Sequence, residues 1–327
     1  MRKLTRSAAI TCSFLLSAGA LAACGDGNKE SMRADSVAEE VTQKVREELV
    51  QPVRDFEGEP FTETRKIKAG GLDREFILTV PPEVDERSDL PLIFAFHGYT
   101  NNAEAMRQFT QLDKAHAVVV YMNGVGSAWA PAPYAKTSGE QDLAYFDAVR
   151  QEMLEELSID PAKVFVTGLS NGGGFAAYAA CHRSHQITGI ATVSAAFYDK
   201  VFDDCSPTPV KQIDMHGTKD GIIDYYGGVR HNEAILSIQD VMANAARRNH
   251  CEPEPVRAEI RRPGEELVWE GCDAQLRHYR LDGGRHVWPG SKQDDSFATQ
   301  PSDGFGTETI LDFFGVDFTG AVGPNPQ

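Results

Sequence analysis

Short apolar runs alternate with amphipathic segments from residue 61 onward, and this alternation predicts a fold of the α/β class. Strands are predicted at residues 61–68, 75–80, 91–96, 118–121, 163–167, 187–193, 210–215 and 276–281. Helices are predicted at residues 143–157, 175–181, 235–246 and 308–314. Because several of the strands are continuous apolar runs, typical of burial on both faces, we expect a mostly parallel central sheet with helices on both sides.

A different pattern precedes this domain, which we place at residues 59–316. Residues 24–58 combine a polar, glycine-containing tether with a segment in which every fourth residue is apolar. The spacing of Val37, Val41, Val45 and Leu49 predicts a short amphipathic helix, which ends before Pro52. The sequence leaves open whether this helix packs on the domain, and residues 317–327 are expected to form a loose tail.

The first 23 residues have the pattern of an export signal. Three basic residues are followed by an apolar core at residues 8–20 and then by Leu21-Ala22-Ala23-Cys24. This tetrapeptide resembles a bacterial lipobox, which predicts cleavage before Cys24 and a lipid on its thiol. A plain secretory signal is the alternative. We therefore expect an extracytoplasmic protein that is lipid-anchored to the outer face of the cell membrane.

The charge of the chain limits its partners. Loss of residues 1–23 removes three basic residues and no acidic one, so the net charge changes from −16 to −19. Such an acidic surface repels phosphate backbones, and nucleic-acid binding is not expected. Membrane contact would then come from the lipid at Cys24, since the multiple acyl chains typical of bacterial lipoproteins hold stably. The oligomeric state cannot be inferred from the sequence.

Six cysteines are present, and four remain after Cys12 leaves with the leader and Cys24 takes the lipid. An even number in an exported chain predicts disulfides. Three pairings can be drawn, and free buried thiols are the alternative. The sequential pairing, Cys181–Cys205 and Cys251–Cys272, closes two loops of about twenty residues, each contributing roughly 3 kcal/mol of stability.

The segment Gly168-Leu169-Ser170-Asn171-Gly172 carries the strongest chemical signal. It lies between the strand at residues 163–167 and the helix at residues 175–181, where the G-x-S-x-G nucleophile elbow of serine hydrolases is found. The alternative is a glycine-rich loop with an idle serine. We predict Ser170 as the nucleophile.

A serine nucleophile needs a base and an orienting acid, which follow it in this chain order. His286 stands in a glycine-containing loop just after the strand at residues 276–281 and is our choice of base. Six other histidines were weighed: His182, His185, His216, His231, His250 and His278. We assign the acid to Asp220 in the loop after residues 210–215, with Asp224 as its rival and Asp214 as a weaker candidate inside the strand.

Two backbone amides are expected to hold the oxyanion, those of Asn171 and Tyr99. His97, two residues before Tyr99, is expected to brace its loop rather than to act as a base. Trp288, Trp129 and Tyr225, together with Tyr226, are candidates for an aromatic wall that binds an aryl or sugar-linked ester, with core packing as the alternative. His182 and His185 lack the glutamate and third ligand of a zinc site, so no metal is expected.

Four segments together resemble one known group: residues 94–98, 164–173, 216–220 and 284–290. They are similar to the polyhydroxybutyrate-depolymerase-like esterases, which include the feruloyl and acetylxylan esterases of carbohydrate esterase family one. The lipobox makes the esterase lipoproteins of mycolate-containing bacteria the most similar. The resemblance implies an α/β-hydrolase fold, a Ser-His-Asp triad, the two cysteine pairs, and no cofactor. Arg285 and Asp224 depart from the family pattern and put substrate preference in doubt.

These observations predict a secreted, lipid-anchored serine esterase. Its expected substrates are short-chain or aryl carboxylic esters of acetyl, feruloyl or hydroxyalkanoate type, on an envelope glycolipid or polysaccharide. The alternative is an acyltransferase that uses the same triad to move an acyl group onto an envelope sugar. A non-catalytic binding protein is disfavoured, because such proteins usually lose a triad residue and none is missing here.

Overall fold

The computed structural model of this chain describes residues 60–84, 87–296 and 303–319. Within these ranges, no helix combines the length and the apolar character that a membrane span requires. The predicted signal peptide at residues 1–23, the tether and helix at residues 24–58, and the lipid site Cys24 lie outside the described residues, as does the tail from residue 320.

The described residues form twelve strands, ten of which belong to one sheet. The strands are β1 (Phe61–Ala69), β2 (Leu72–Val80), β3 (Leu90–Phe96), β4 (Val118–Met122), β5 (Ile159–Leu169), β6 (Gly189–Val193), β7 (Lys211–Gly217), β8 (Gly228–Arg230), β9 (Glu233–Ile235), β10 (Val256–Glu259), β11 (Gly264–Trp269) and β12 (Leu276–Leu281). The large sheet has the order β1-β2-β4-β3-β5-β6-β7-β12-β11-β10, and β8 and β9 form a separate hairpin.

Five α-helices accompany the strands in the described ranges. They are α1 (Ala103–Thr110), α2 (Gly139–Glu156), α3 (Asn171–His182), α4 (Ile238–Arg248) and α5 (Phe305–Phe314). Six neighbouring strands, from β4 to β12 in sheet order, pair in parallel, and antiparallel strands flank them on both edges. This is the mostly parallel sheet of an α/β-hydrolase, as predicted.

Strand β3 shows why the sheet is buried on both faces, since all seven of its residues are buried. Phe94 and Phe96 point into the cluster that contains α2 and α3. Ile93 and Ala95, the alternate residues, belong to the cluster on the opposite face with α1 and α5. Because successive side chains of a strand point to opposite faces, a continuous apolar run must be covered on both sides.

The structure differs from the predicted elements at several places. Helix α4 begins at Ile238 instead of residue 235, because Ile235 pairs with Gly228 in the hairpin of β8 and β9. Helix α1, that hairpin, and strands β10 and β11 were not predicted. The tail is also not loose from residue 317, since residues 317–319 hydrogen-bond to residues 114–116.

Both disulfides have the sequential pairing, which is confirmed. Cys181–Cys205 joins the end of α3 to the segment that precedes β7. Cys251–Cys272 joins the segment after α4 to the segment after β11.

Candidate active site

Ser170 occupies the tight turn between β5 and α3, as the elbow motif predicts. Its backbone has φ 57° and ψ −120°, a conformation that a residue other than glycine rarely adopts. Three backbone hydrogen bonds hold it there. The Ser170 amide donates to the Val193 carbonyl at 2.9 Å, and the Ser170 carbonyl accepts from Gly174 at 3.0 Å and from Ala196 at 2.9 Å.

The two glycines that flank Ser170 are required by close backbone approach. A Cβ on Gly168 would overlap the backbone of Gly172, and one on Gly172 would overlap the carbonyl of Phe96 at the end of β3. The helix that follows the nucleophile can therefore start directly against the sheet. This explains in three dimensions why the motif has glycine at both positions.

Asp220 and His286 are joined by a short side-chain hydrogen bond. His286 Nδ1 lies 2.7 Å from Asp220 Oδ2. The other carboxylate oxygen, Oδ1, accepts from the amides of Ile222 and Ile223, both at 2.8 Å. Since Nδ1 donates to the carboxylate, the neutral imidazole carries no proton on Nε2, which leaves that nitrogen as a proton acceptor.

The acid loop and the histidine loop are joined along their backbones. The Lys219 amide donates to the Gly284 carbonyl at 2.9 Å, and the Gly283 amide donates to Thr218 Oγ1 at 2.9 Å. A Cβ on Gly217 would overlap the backbone of Gly284. Glycine at position 217 thus lets the two loops touch, and this contact sets the distance between Asp220 and His286.

The histidine loop also reaches toward the elbow. Strands β5, β6, β7 and β12 are parallel neighbours, so the loops that follow them emerge at the same edge of the sheet. Ser194, which follows β6, donates from its hydroxyl to the Val287 carbonyl at 3.5 Å. Its neighbour Val193 accepts the hydrogen bond from the Ser170 amide. One short chain of contacts therefore connects Ser170 to the residue after His286.

His216 is a second imidazole on the same carboxylate, and sequence reasoning weighed it only as a candidate base. Its side chain is buried, with Nε2 3.4 Å from Asp220 Oδ2 and 2.9 Å from the Ile223 carbonyl oxygen. Burial acts to raise the pKa of the Asp220 carboxyl, but the hydrogen bonds from His216 and His286 hold that pKa well below its usual range. Asp220 therefore stays ionised.

Both predicted oxyanion amides are available. Among the described residues, neither the Tyr99 amide nor the Asn171 amide donates to a protein acceptor, whereas the Thr100 amide donates to the Ser127 carbonyl at 2.9 Å. Gly98 lies against the nucleophile, since a Cβ there would be 3.4 Å from Ser170 Cβ. Two free amides next to Ser170 can stabilise the negative charge that develops on a carbonyl oxygen.

His97 stabilises the oxyanion loop through two hydrogen bonds of its imidazole. Its Nδ1 donates to the Gly98 carbonyl at 2.8 Å, and its Nε2 accepts from the Gly124 amide at 3.0 Å. Burial lowers the pKa of His97 to about 4, against an opposing effect of the Gly98 hydrogen bond. The imidazole is therefore neutral at neutral pH, in the tautomer that its two partners require.

The predicted aromatic wall must be corrected. Trp129 and Trp288 are buried, and each indole N–H has an interior partner: Trp129 donates to the His97 carbonyl and Trp288 to Thr307 Oγ1, both at 3.0 Å. Tyr225 is also buried, with its hydroxyl 2.8 Å from His278 Nε2. These three side chains pack in the interior because their large apolar surface and their polar tip are both satisfied there.

Other aromatic residues lie at the oxyanion loop, with Tyr99 and His231 exposed and Tyr134 half-buried. The Tyr99 ring stacks on the ring of Tyr134 with centroids 4.0 Å apart, and the His231 ring meets Tyr134 edge-on at 4.8 Å. We call these three residues the tyrosine–histidine cluster. Tyr134 and His231 lie in segments without a motif; the sequence offered His231 only as a candidate base and gave no signal for Tyr134. The signal that the sequence did contain was the aromatic side chain of Tyr99, the predicted oxyanion residue itself.

No group of three or more histidine, cysteine or acidic side chains in the described part of the chain has the arrangement of a metal site. Tyr178 contacts His182 at a centroid distance of 4.2 Å, and His185 is exposed.

A family model described as phospholipase/carboxylesterase matches residues 136–254, a range that includes Ser170 and Asp220. Among curated proteins, feruloyl esterase C of Emericella nidulans is 25% identical over 227 residues, covering 66% of this chain and 77% of that protein. Feruloyl esterase D of Neurospora crassa is 26% identical over 200 residues, covering 56% of this chain and 62% of that protein.

Two solved structures share the fold. An acetyl xylan esterase from Aspergillus awamori superimposes with a TM-score of 0.55 at 15% identity, covering 77% of this chain and 99% of that one. An S-formylglutathione hydrolase from Agrobacterium tumefaciens gives a TM-score of 0.51 at 10% identity, covering 79% and 95%. At these identities the likeness to solved structures shows the fold alone.

Proposed function

Since this chain belongs to the feruloyl and acetylxylan esterase-like α/β-hydrolases and is a carboxylic ester hydrolase, we propose that it cleaves short-chain or aryl esters with a triad of Ser170, His286 and Asp220. The observation that carries the proposal is the 2.7 Å contact of His286 with an ionised, buried Asp220, on the same sheet edge as a serine in a strained elbow.

The mechanism follows from the roles of these groups. His286 Nε2 accepts the proton of the Ser170 hydroxyl as the oxygen attacks the ester carbonyl carbon. The amides of Tyr99 and Asn171 donate to the resulting oxyanion. His286 then protonates the leaving alcohol. Water attacks the acyl-enzyme in the same way and releases the acid, while Asp220 keeps the imidazole oriented throughout.

Acetyl, feruloyl and hydroxyalkanoate esters are the proposed substrate types. The similarity to feruloyl esterases and to an acetyl xylan esterase supports the first two. The hydroxyalkanoate type rests on the resemblance of the motif segments alone. A panel of methyl esters with these acyl groups, each followed by the release of its acid, ranks the three types.

Substitution Ser170→Ala tests the triad. We expect loss of nearly all turnover of a short-chain p-nitrophenyl ester, and loss of covalent labelling by a fluorophosphonate probe, because both need the Ser170 oxygen. Ser184→Ala, two residues beyond the end of α3, is the matched control and keeps both signals. Turnover by Ser170→Ala within about tenfold of the wild type would contradict the proposal, since loss of a nucleophile typically costs far more.

We also propose that the protein is exported and anchored through a lipid on Cys24. The lipobox-like residues 21–24 support this, and so do two disulfides, which persist in oxidising compartments. In the bacterial membrane fraction, the wild type is expected to incorporate labelled palmitate and Cys24→Ser is not. Recovery of a Cys24→Ser protein that is equally labelled would refute the anchor.

A further inference from the structure

The tyrosine–histidine cluster is a partly exposed aromatic surface that the catalytic steps do not use, since Tyr99 and His231 are exposed and Tyr134 between them is half-buried. The Tyr99 and Tyr134 rings are stacked with an angle of 30° between their planes. The His231 ring stands at 68° to the Tyr134 ring and at 85° to the Tyr99 ring, whose centroid lies 6.3 Å away. Tyr99 remains 42% exposed. A large aromatic side chain left this open, beside a reactive serine, has surface available for a ligand.

The cluster is assembled from three segments: the oxyanion loop, the segment after Trp129 and the hairpin of β8 and β9. Tyr99 follows Gly98, which approaches the Ser170 side chain. Tyr134 lies in the segment after Trp129, and Asn171 holds that segment by donating to the Trp129 carbonyl at 3.0 Å and accepting from its amide at 2.8 Å. The segment that leads to Tyr134 is thus held against the residue that follows Ser170.

His231 reaches the cluster at the tip of the hairpin formed by β8 and β9. The hairpin follows the acid loop in sequence and turns through His231 and Asn232, which have φ values of 53° and 62°. Its base is tied to the body by a bridge between Ile235 and Tyr198 and by the Leu236 amide, which donates to the Phe197 carbonyl at 2.9 Å. The histidine ring is thus held against the two tyrosines by a short, anchored ribbon.

We propose that the tyrosine–histidine cluster binds the aromatic ring of the acyl group in an aryl ester, and so sets the acyl preference of the enzyme. The inference rests on the proposed function and names residues for its substrate class. Flat rings bind to aromatic side chains by stacking and edge-to-face contact, in addition to the area that they bury. Tyr134 already makes both kinds of contact within the cluster, so the exposed sides of Tyr99 and His231 are the surfaces that a ligand ring can meet.

The chain connection of the cluster to the oxyanion loop favours the acyl group over the alcohol as its ligand. His286 protonates the leaving alcohol, so the alcohol must lie next to that imidazole. Among the described residues, the ring contacts of Tyr99, Tyr134 and His231 include none with His286. Instead the cluster begins at Tyr99, whose amide is the proposed donor to the carbonyl oxygen.

Three esters distinguish binding of an acyl ring from binding of an alcohol ring and from a structural role. Methyl cinnamate has an aryl acyl group, methyl butyrate has an aliphatic acyl group, and phenyl acetate has an aryl alcohol. We expect Tyr134→Ala to lower kcat/KM for methyl cinnamate about tenfold more than for methyl butyrate, the scale of one lost aromatic contact. Tyr134→Phe keeps the ring and restores the wild-type ratio. Phe61→Ala removes another exposed aromatic, at the far edge of the sheet, and changes neither value.

A second variant keeps the inference testable even where Tyr134→Ala does not fold. Tyr99→Leu keeps the backbone amide and removes only the ring. In that variant, inhibition of butyrate hydrolysis by free cinnamate should weaken about tenfold, because the aromatic contact is lost while the oxyanion amide stays. Unchanged inhibition in Tyr99→Leu would overturn the inference.

The remaining outcomes are distinguishable. Equal losses of kcat/KM for methyl cinnamate and methyl butyrate in Tyr134→Ala mean a structural role only. A loss of kcat/KM confined to phenyl acetate means that the cluster binds the ring of the alcohol. Either result overturns the inference. A wild-type enzyme that hydrolyses butyrate but not cinnamate also overturns it. Failure on all three esters, or butyrate turnover that survives Ser170→Ala, overturns the proposed function itself.

Discussion

The backbone conformation of Ser170 and the charge states of Asp220 and His97 are fixed by the residues around them. Ser170 keeps a positive φ because three backbone hydrogen bonds compensate for the strain. Asp220 is buried and still ionised because four donors surround it, two amides and two imidazoles. His97 is neutral because burial opposes its charge. In each case the neighbours decide the state of the residue.

The neutral His97 predicts a pH dependence of stability. Its pKa is about 4 in the folded protein and about 6.5 in an unfolded chain, so the unfolded state binds the proton more readily. The stabilising contribution is therefore complete above pH 6.5 and is lost as the pH falls toward 4. Between pH 7 and pH 5, the free energy of unfolding should fall by about 2 kcal/mol from this group.

Urea unfolding at the two pH values measures this effect. The decrease should be about 2 kcal/mol smaller in His97→Gln, which cannot be protonated. His185→Gln changes an exposed imidazole and should behave like the wild type. An equal decrease in His97→Gln and the wild type would show that His97 does not contribute.

The choice between Asp220 and Asp224 predicts opposite results for the same substitution. Asp224 is exposed, and its carboxylate accepts from the Tyr226 amide at 2.8 Å as part of a turn. Asp220→Asn should lower kcat by about a thousandfold or more, because an amide does not hold the imidazole in the required tautomer. Asp224→Asn should remain near the wild-type value. The reverse ranking, measured with a short-chain ester, would assign the acid to position 224.

At the scale of elements, the site depends on glycines. They let the backbones of neighbouring strands, loops and helices come into direct contact. Helix α3 begins against the carbonyl of Phe96 because position 172 is glycine. The loops after β7 and β12 touch along Gly217 and Gly284. Parallel neighbouring strands bring their following loops to one edge, and glycine lets those loops approach closely enough for hydrogen bonds between side chains.

Two alanine substitutions in the acid loop test this element. Gly217→Ala would force the loop away from Gly284, and kcat/KM should fall by about a hundredfold, the scale of a displacement of about 1 Å at a catalytic group. Gly221→Ala lies in the same loop, where a Cβ meets nothing within 4 Å, and should leave activity unchanged. Similar activity in the two variants would mean that the backbone contact does not position Asp220.

At the scale of the whole molecule, a ten-stranded sheet is covered on both faces, and two disulfides hold its connections. The disulfides span 24 and 21 residues in sequence. They lie near the ends of α3 and α4, at some remove in the chain from Ser170, Asp220 and His286. Their main effect is expected on the stability of the domain.

Removal of either disulfide should destabilise the protein without removing activity. The double substitutions Cys181→Ala/Cys205→Ala and Cys251→Ala/Cys272→Ala should each lower the free energy of unfolding by about 3 kcal/mol, from the entropy that the open chain regains. Urea unfolding measures the change, and ester turnover at low temperature serves as the control. Stability equal to the wild type in both variants would contradict this account.

Periodicity and local motifs were enough to predict the α/β class, most strands of the sheet, and the elbow at Ser170. Those signals are local, because burial of a strand on both faces and the turn at the nucleophile each constrain a few adjacent residues. The order of motifs along the chain also selected Asp220 and His286, which the structure brings to 2.7 Å. The short strand β8, with two of its three residues exposed, left no comparable pattern.

The sequence by itself determined the type of fold and the candidate triad, since each rests on residue types at short, characteristic spacings. Only the tertiary structure decided which aromatic residues face solvent. Trp129 and Trp288 are buried because distant segments supply partners for their N–H groups. Tyr134 and His231 meet at 4.8 Å although 97 positions separate them. Burial and contact are properties of the packed chain, and no local pattern encodes them.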